Sequence, residues 1–194
     1  MCGFYGTNQI TRFRIDNNLK EEVDRLMALR GPDDCQIFQK DNIFLKHFRL
    51  ITRGSGKRGK QPMIGQRYIL LFNGNIINSS ALARKYFITD SESDTEVLAN
   101  LIEKIGPKII SELNGFFAIV VFDTLYNEWI LARDRLGIKP LFFSNEIDSL
   151  SFASRADVLA KLLQKNINKE KLLSTLKYGS VFMNETIYDN IEQV

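Results

Sequence analysis

The segment Gly115–Asp134, GFFAIVVFDTLYNEWILARD, sets the tightest limit on how this chain can fold. Its core, FFAIVVF, is the longest strongly apolar run, yet it is strand-sized and far short of the ~20 residues that a membrane-spanning helix needs. A turn at Tyr126-Asn127 and a return run carrying Ile130 and Leu131 make the segment a hairpin. Shorter runs of the same kind surround it: CGFYGT, CQIFQK, NIFLKHFRL, RYILLF, KPLFFS and SLSFAS. Between and after them lie segments of helical period. In LKEEVDRLMALR, Leu19, Val23, Leu26 and Met27 recur at that spacing before Gly31-Pro32 stops the helix. SALARKYF, DTEVLANLIEKIG, Lys108–Leu113, RADVLAKLLQ and KEKLLSTLKYG read as helical too. Strands dominate the first two-thirds and helices the remainder, which predicts an α+β layered domain.

With 194 residues and 44% hydrophobic content, the chain can bury a core and is expected to form one domain over 1–194. A net charge of +3 admits an acidic small ligand but is not the large basic excess of a nucleic-acid binder. Cys2 and Cys35 make no disulfide framework, and no charged and apolar leader precedes a cleavage site. A soluble, cytoplasmic protein with no membrane partner is the expectation. One histidine, His47, and no C-x-x-C pair argue against a metal centre.

Several residues carry chemistry. Cys2 follows Met1 directly, and removal of Met1 would place a thiol and a free α-amine on one residue, a nucleophile beside its own base. Such an amine titrates near pH 7.7–8.0 and is partly neutral in a cell. Asn73-Gly74 reads most simply as a tight turn ending a strand. The alternative is a side-chain amide and a glycine N–H set together to receive an oxyanion. Ser93–Glu96, SDTE, has the form of a capping box. Asp94 at that helix start could also offer a carboxylate to an ammonium. Alternation in β fashion puts Leu45, His47, Arg49 and Ile51 on one face. A half-buried guanidinium such as Arg49 calls for an anionic partner, whereas His47 suits a satisfied packing role. Gly54–Lys60 fits the opening of a P-loop, but Gln61 stands where a magnesium-binding hydroxyl is required and Pro62 follows. A basic loop is the better reading, and without interleaved aromatics it does not suit nucleic acid. Arg133, Asp134 and Arg135 are suited to an internal ion-pair network.

Nine motifs stand in the order of one family: MCGFYG, RGPD, HFRL, QPM, FNGNI, SDTE, LNGFFA, LARDRLGIKPLFF and SFAS. Together they resemble a class II glutamine amidotransferase domain, most of all the glutaminase domain of the asparagine synthetases, over nearly the whole chain. The resemblance implies the N-terminal-nucleophile fold: a four-layer sandwich with two stacked antiparallel sheets between helical layers. It implies that Cys2 attacks the side-chain amide of L-glutamine while its α-amine shuttles the proton. Asn73 and Gly74 would form the oxyanion hole, Arg49 would hold the substrate carboxylate, and Asp94 its ammonium, with Asn75 beside it. No cofactor is expected in this domain. ATP and Mg²⁺ belong to the synthetase domain that such enzymes carry, absent from this sequence, which would be the ammonia-consuming partner as a domain or a separate subunit. A homodimer is compatible with the resemblance. The rival expectation is a catalytically impaired scaffold or glutamine-sensing module of the same fold.

The sequence departs from the family pattern at three places: Asn75 stands where a glutamate is usual, Leu29 where a histidine precedes RGPD, and Arg155 where FASE is usual. Loss of an acidic group beside the ammonium site predicts weaker glutamine binding or altered selectivity. Asn75→Glu is therefore expected to lower KM for glutamine, and an unaltered protein whose KM is no worse than that of the variant contradicts this role for position 75.

Overall fold

In the computed structural model, the described residues are 1–13, 16–51, 59–89, 91–181 and 184–194. The basic segment read from Gly54 to Lys60 therefore lies outside them, apart from Gly59 and Lys60. Two antiparallel sheets organise the chain. The larger has six strands: β1 (Gly3–Thr7), β2 (Asp34–Lys40), β3 (Ile43–Arg49), β8 (Phe142–Glu146), β9 (Ser149–Ala153) and β10 (Glu192–Gln193), in the order β10-β8-β9-β1-β3-β2. The smaller holds β4 (Met63–Ile64), β5 (Tyr68–Ile76), β6 (Gly115–Asp123) and β7 (Glu128–Arg133) in sequence order. The hairpin read from Gly115 onward is β6–β7, with Asp123 opposite Glu128 and Asn127 at φ 56° in its turn.

Alternation along each strand sorts the core into layers. In β5, Ile69 and Leu71 face the larger sheet and pack with Phe4, Leu45 and Phe152, along with Ala118 and Val120 of β6. Tyr68, Leu70, Phe72 and Ile76 face the other way, onto α2 (Ser79–Lys85) and α3 (Asp94–Ile105), where Leu98, Leu101 and Ile102 are at most 1% exposed. The outer face of the larger sheet buries Tyr5 and Phe48 against α1 (Asn17–Ala28) and α4 (Ala156–Leu163), through Val23, Met27, Val158, Leu159 and Leu162. The result is helix, sheet, sheet, helix. A last helix, α5 (Lys169–Tyr178), keeps Leu173 and Leu176 exposed.

Local signals act as expected at α3. Ser93 accepts from the Glu96 N–H, and the Glu96 carboxylate reaches back to the Ser93 N–H, a complete capping box. Asn73-Gly74 behaves otherwise. It is no turn: β5 runs on to Ile76, with Asn73 opposite Ala118 and Gly74 opposite Phe117. Glycine is required there by space rather than by φ, since a Cβ on Gly74 would lie 2.3 Å from the Phe116 carbonyl oxygen.

Helix α1 is tied to the sheet by a buried charge. Lys46, 4% exposed in β3, donates to both carboxylate oxygens of Asp24 at 2.6 and 2.7 Å, and the Tyr5 hydroxyl donates to the same carboxylate at 3.3 Å. Asp24→Ala strands a buried ammonium, and such a loss costs about 3–5 kcal/mol. The expected outcome is a drop of that order in unfolding free energy by denaturant titration, with Lys46→Met recovering much of it in the double variant.

Candidate active site

Strand β1 sits between β9 and β3, and Cys2 immediately precedes it. Gly3 pairs with Phe48, so Cys2 is delivered to the end of β3. There the sulfur accepts from the Leu50 N–H at 3.4 Å and faces the Leu50 carbonyl oxygen at 3.7 Å. Arg30, just past α1, donates from Nε to the Cys2 carbonyl at 3.3 Å.

The opposite wall is an open strand edge. The Phe117 backbone turns toward residue 134: its N–H donates to the Asp134 carboxylate, and its carbonyl accepts from the Asp134 N–H. In an antiparallel ladder the residue facing it across a non-bonded pair points its own N–H the other way. Gly74 is that residue, so its N–H points away from β6, toward the side where β4 pairs only as far as Leu70. Three outward N–H groups follow at residues 72, 74 and 76. Phe72 donates to Gln61 Oε1 at 2.6 Å, and Ile76 donates to Asp94 Oδ2 at 3.0 Å. Gly74, between them, lines the cleft.

That cleft unites Cys2, Arg49, Gly74, Asn75 and Asp94 with Gln61, Gly59 and the first turn of α3. Arg49 is 8% exposed. A Cβ on Gly59 would be 3.1 Å from Arg49 Nη2 and 3.5 Å from Ser93 Oγ, so the guanidinium and the α3 N-terminus flank that glycine. Asn73 is not part of the cleft lining. It lies buried at 3% exposure on the inter-sheet side, and its Nδ2 has no hydrogen-bond partner among the described residues. An orphaned buried amide donor is costly unless something else occupies it.

Two sequence expectations need correction. Arg133 and Asp134 hold backbone rather than each other. Asp134 accepts from the N–H groups of Phe117, Leu136, Ile138 and Lys139. Arg133 donates to the carbonyls of Lys139 and Gly137 and to Gln193 Oε1. Burial pushes the Asp134 carboxyl up, but those N–H bonds outweigh it and hold it below the ordinary carboxylate value. His47 does pack, stacked on Phe4 at 6.5 Å, yet its Nε2 lacks a partner among the described residues. Burial is the main reason its pKa falls to about 4, against the smaller opposing effect of a hydrogen bond with the Phe72 backbone.

The sequence analysis did not single out Gln61 as part of the site: a buried side chain that serves a neighbouring strand leaves no periodic signal.

All 194 residues, 1–194, match the family model described as a glutamine amidotransferase domain. The chain belongs to that family. This amidotransferase domain is 34% identical over 166 residues to asparagine synthetase B (glutamine-hydrolysing) of Escherichia coli, covering 82% of this chain and 30% of that protein. It is 31% identical over 218 residues to a putative glutamine-hydrolysing asparagine synthetase 2 of Methanocaldococcus jannaschii, covering 98% and 42%. The domain thus spans less than half the length of these relatives. Among solved structures, the glutamine phosphoribosylpyrophosphate amidotransferase from B. subtilis superposes with a TM-score of 0.63 at 23% identity, over 84% of this chain and 44% of that one. That likeness supports the four-layer, N-terminal-nucleophile architecture expected from the sequence.

Among the described residues no helix is long and apolar enough to cross a membrane.

His47 gives the domain an acid-sensitive core. Its folded pKa, about 4, lies below the unfolded value of 6.5, so its stabilising contribution is complete above pH 6.5 and lost as pH falls through 4. The expected loss is about 3 kcal/mol across that window. Unfolding free energies between pH 7 and 4 should show this slope, and His47→Asn should flatten it.

Proposed function

We propose that this domain hydrolyses L-glutamine to glutamate and ammonia through a Cys2 thioester. The reading rests above all on one juxtaposition: a thiol at the chain start, a cation at Arg49 and an anion at Asp94 line one cleft. Free glutamine is a zwitterion, and a fixed guanidinium and a fixed carboxylate match its carboxylate and ammonium. With Met1 removed, the Cys2 α-amine takes the thiol proton as sulfur attacks the side-chain carbonyl. The same proton passes to the departing ammonia. The oxyanion is assigned to Gly74 N–H, on the cleft wall, and to Asn73 Nδ2, buried next to it with no partner among the described residues, and water then releases glutamate from the thioester. Each such donor is worth ~2.7–4 kcal/mol in the transition state.

The ammonia would go to an asparagine-synthetase-like domain or subunit, with aspartate as the default acceptor and ATP and Mg²⁺ confined to that partner. The names of the relatives support this, as does the share of their length that lies outside the match.

An intact mass before and after exposure to a glutamine-mimicking electrophile tests the reading. Expected are loss of Met1 and a single adduct, both the adduct and glutamine turnover being absent in Cys2→Ala. Processed protein with an inert Cys2 would replace the glutaminase with a scaffold of the same fold. Asn73→Ala, which removes one of the two proposed donors, should fall by about a hundredfold or more in kcat, and Arg49→Lys should act chiefly on KM.

A further inference from the structure

The outer edge of β5 carries a row of groups in a fixed order. Its outward N–H groups, at Phe72, Gly74 and Ile76, stand about 7 Å apart along the strand. Gln61 Oε1 covers the first at 2.6 Å, and Asp94 Oδ2 covers the last at 3.0 Å. Gly74, between them, lines the cleft.

Gln61 is 4% exposed, and chemistry alone orients the end of its side chain. A backbone N–H only donates, so the atom facing Phe72 is the amide oxygen, and the NH2 of the same amide faces elsewhere. Among the described residues nothing accepts from that NH2. Nor is Nε2 sealed away like the orphaned Asn73 Nδ2. Gln61 lines the same cleft as Cys2, Arg49, Gly74 and Asp94. A side chain more than nine-tenths buried therefore keeps two free amide hydrogens at the wall of the site. A donor so placed is costly until a ligand brings it an acceptor.

The order along the edge decides which acceptor. Asp94, at Ile76, and Gln61, at Phe72, are separated by about 14 Å of strand, so that carboxylate is not its partner. Arg49 belongs to the Asp94 end, because its guanidinium and Ser93 Oγ flank Gly59. A glutamine whose carboxylate and ammonium meet Arg49 and Asp94 extends its side chain toward Gly74, Cys2 and Gln61. An NH2 donates and does not accept, so it suits the side-chain oxygen of that glutamine and not its nitrogen.

We propose that Gln61 is a further donor to the reacting oxygen, its Nε2 hydrogen joining the Gly74 N–H. The assignment rests on the reading of this site as a glutaminase. As the Cys2 sulfur bonds to the side-chain carbon, the π pair of the carbonyl moves onto oxygen, and the Gln61 NH2 meets the charge that develops there. The bond from Phe72 N–H to Oε1 holds the amide before substrate arrives, so the donor needs no reorganisation at the moment of reaction.

The test is ammonia release from glutamine by the parent, Gln61→Met and Gln61→Glu, with folding followed by circular dichroism. The Met variant deletes both the donor and the Phe72 bond. The Glu variant keeps an oxygen for Phe72 N–H and loses only the donor, with a negative charge in its place. Expected is a kcat lower by about a hundredfold in Gln61→Met and by at least as much in Gln61→Glu, with KM within about threefold of the parent. A Glu variant that turns over like the parent reduces Gln61 to a peg for Phe72 and overturns the proposal. So does a Met variant with parental kcat, where charge alone explains the Glu variant. A rise in KM at unchanged kcat overturns it too, by moving the NH2 to the carboxylate end of the substrate. If only one variant folds, that one decides; loss of fold in both assigns the side chain to scaffolding. A parent that releases no ammonia removes the glutaminase reading and this assignment with it, whereas an active parent matched by Gln61→Glu removes this assignment alone.

Discussion

The site depends on the register of β5 against β6. Gly74 must oppose Phe117 closely enough that a methyl group would strike the Phe116 carbonyl, and that pairing turns its N–H outward. The short β4 leaves the outer edge of β5 uncovered beyond Leu70. A bare sheet edge ordinarily invites another strand. Here two side chains occupy it, Gln61 at Phe72 and Asp94 at Ile76, and the space between them is the cleft. A one-residue slip would exchange the inward and outward N–H groups and send Asn73 to the helical side.

The charges follow the same layering. Arg49 comes from β3 of the larger sheet and Asp94 from the start of α3, which packs on the smaller sheet, so their meeting depends on correct stacking of the two sheets. Arg30 holds the Cys2 carbonyl, and the loop from Asp134 to Lys139 is gathered around one carboxylate. Four backbone donors on a buried carboxylate make that loop a rigid mount rather than a tether.

Legibility in the sequence followed the range of each interaction. The β6–β7 hairpin, the α3 capping box and the amphipathic helices are specified by neighbours a few residues apart, and each was readable. Cys2, Arg49 and Asp94 were picked out by residue type and position, yet only tertiary stacking could bring them together. Asn73-Gly74 misled on local grounds because the pair suits a turn, while the true demand is clearance across a ladder 42 residues away. Arg133 and Asp134 look like ion-pair partners in sequence. Backbone carbonyls and N–H groups, invisible to side-chain pattern, are most of what they hold, with Gln193 the one side chain among the described partners.

Chain termini are usually where a fold frays. Here Gly3–Thr7 forms a central strand, hydrogen-bonded on both sides by β3 and β9, with Phe4 fully buried and Tyr5 nearly so. Freeing this strand would require opening the larger sheet itself, so its amide hydrogens should exchange only as fast as the whole molecule unfolds. The segment that most chains leave loosest is here among the last to let go. The entropy of ordering it has already been spent in folding, before any ligand arrives.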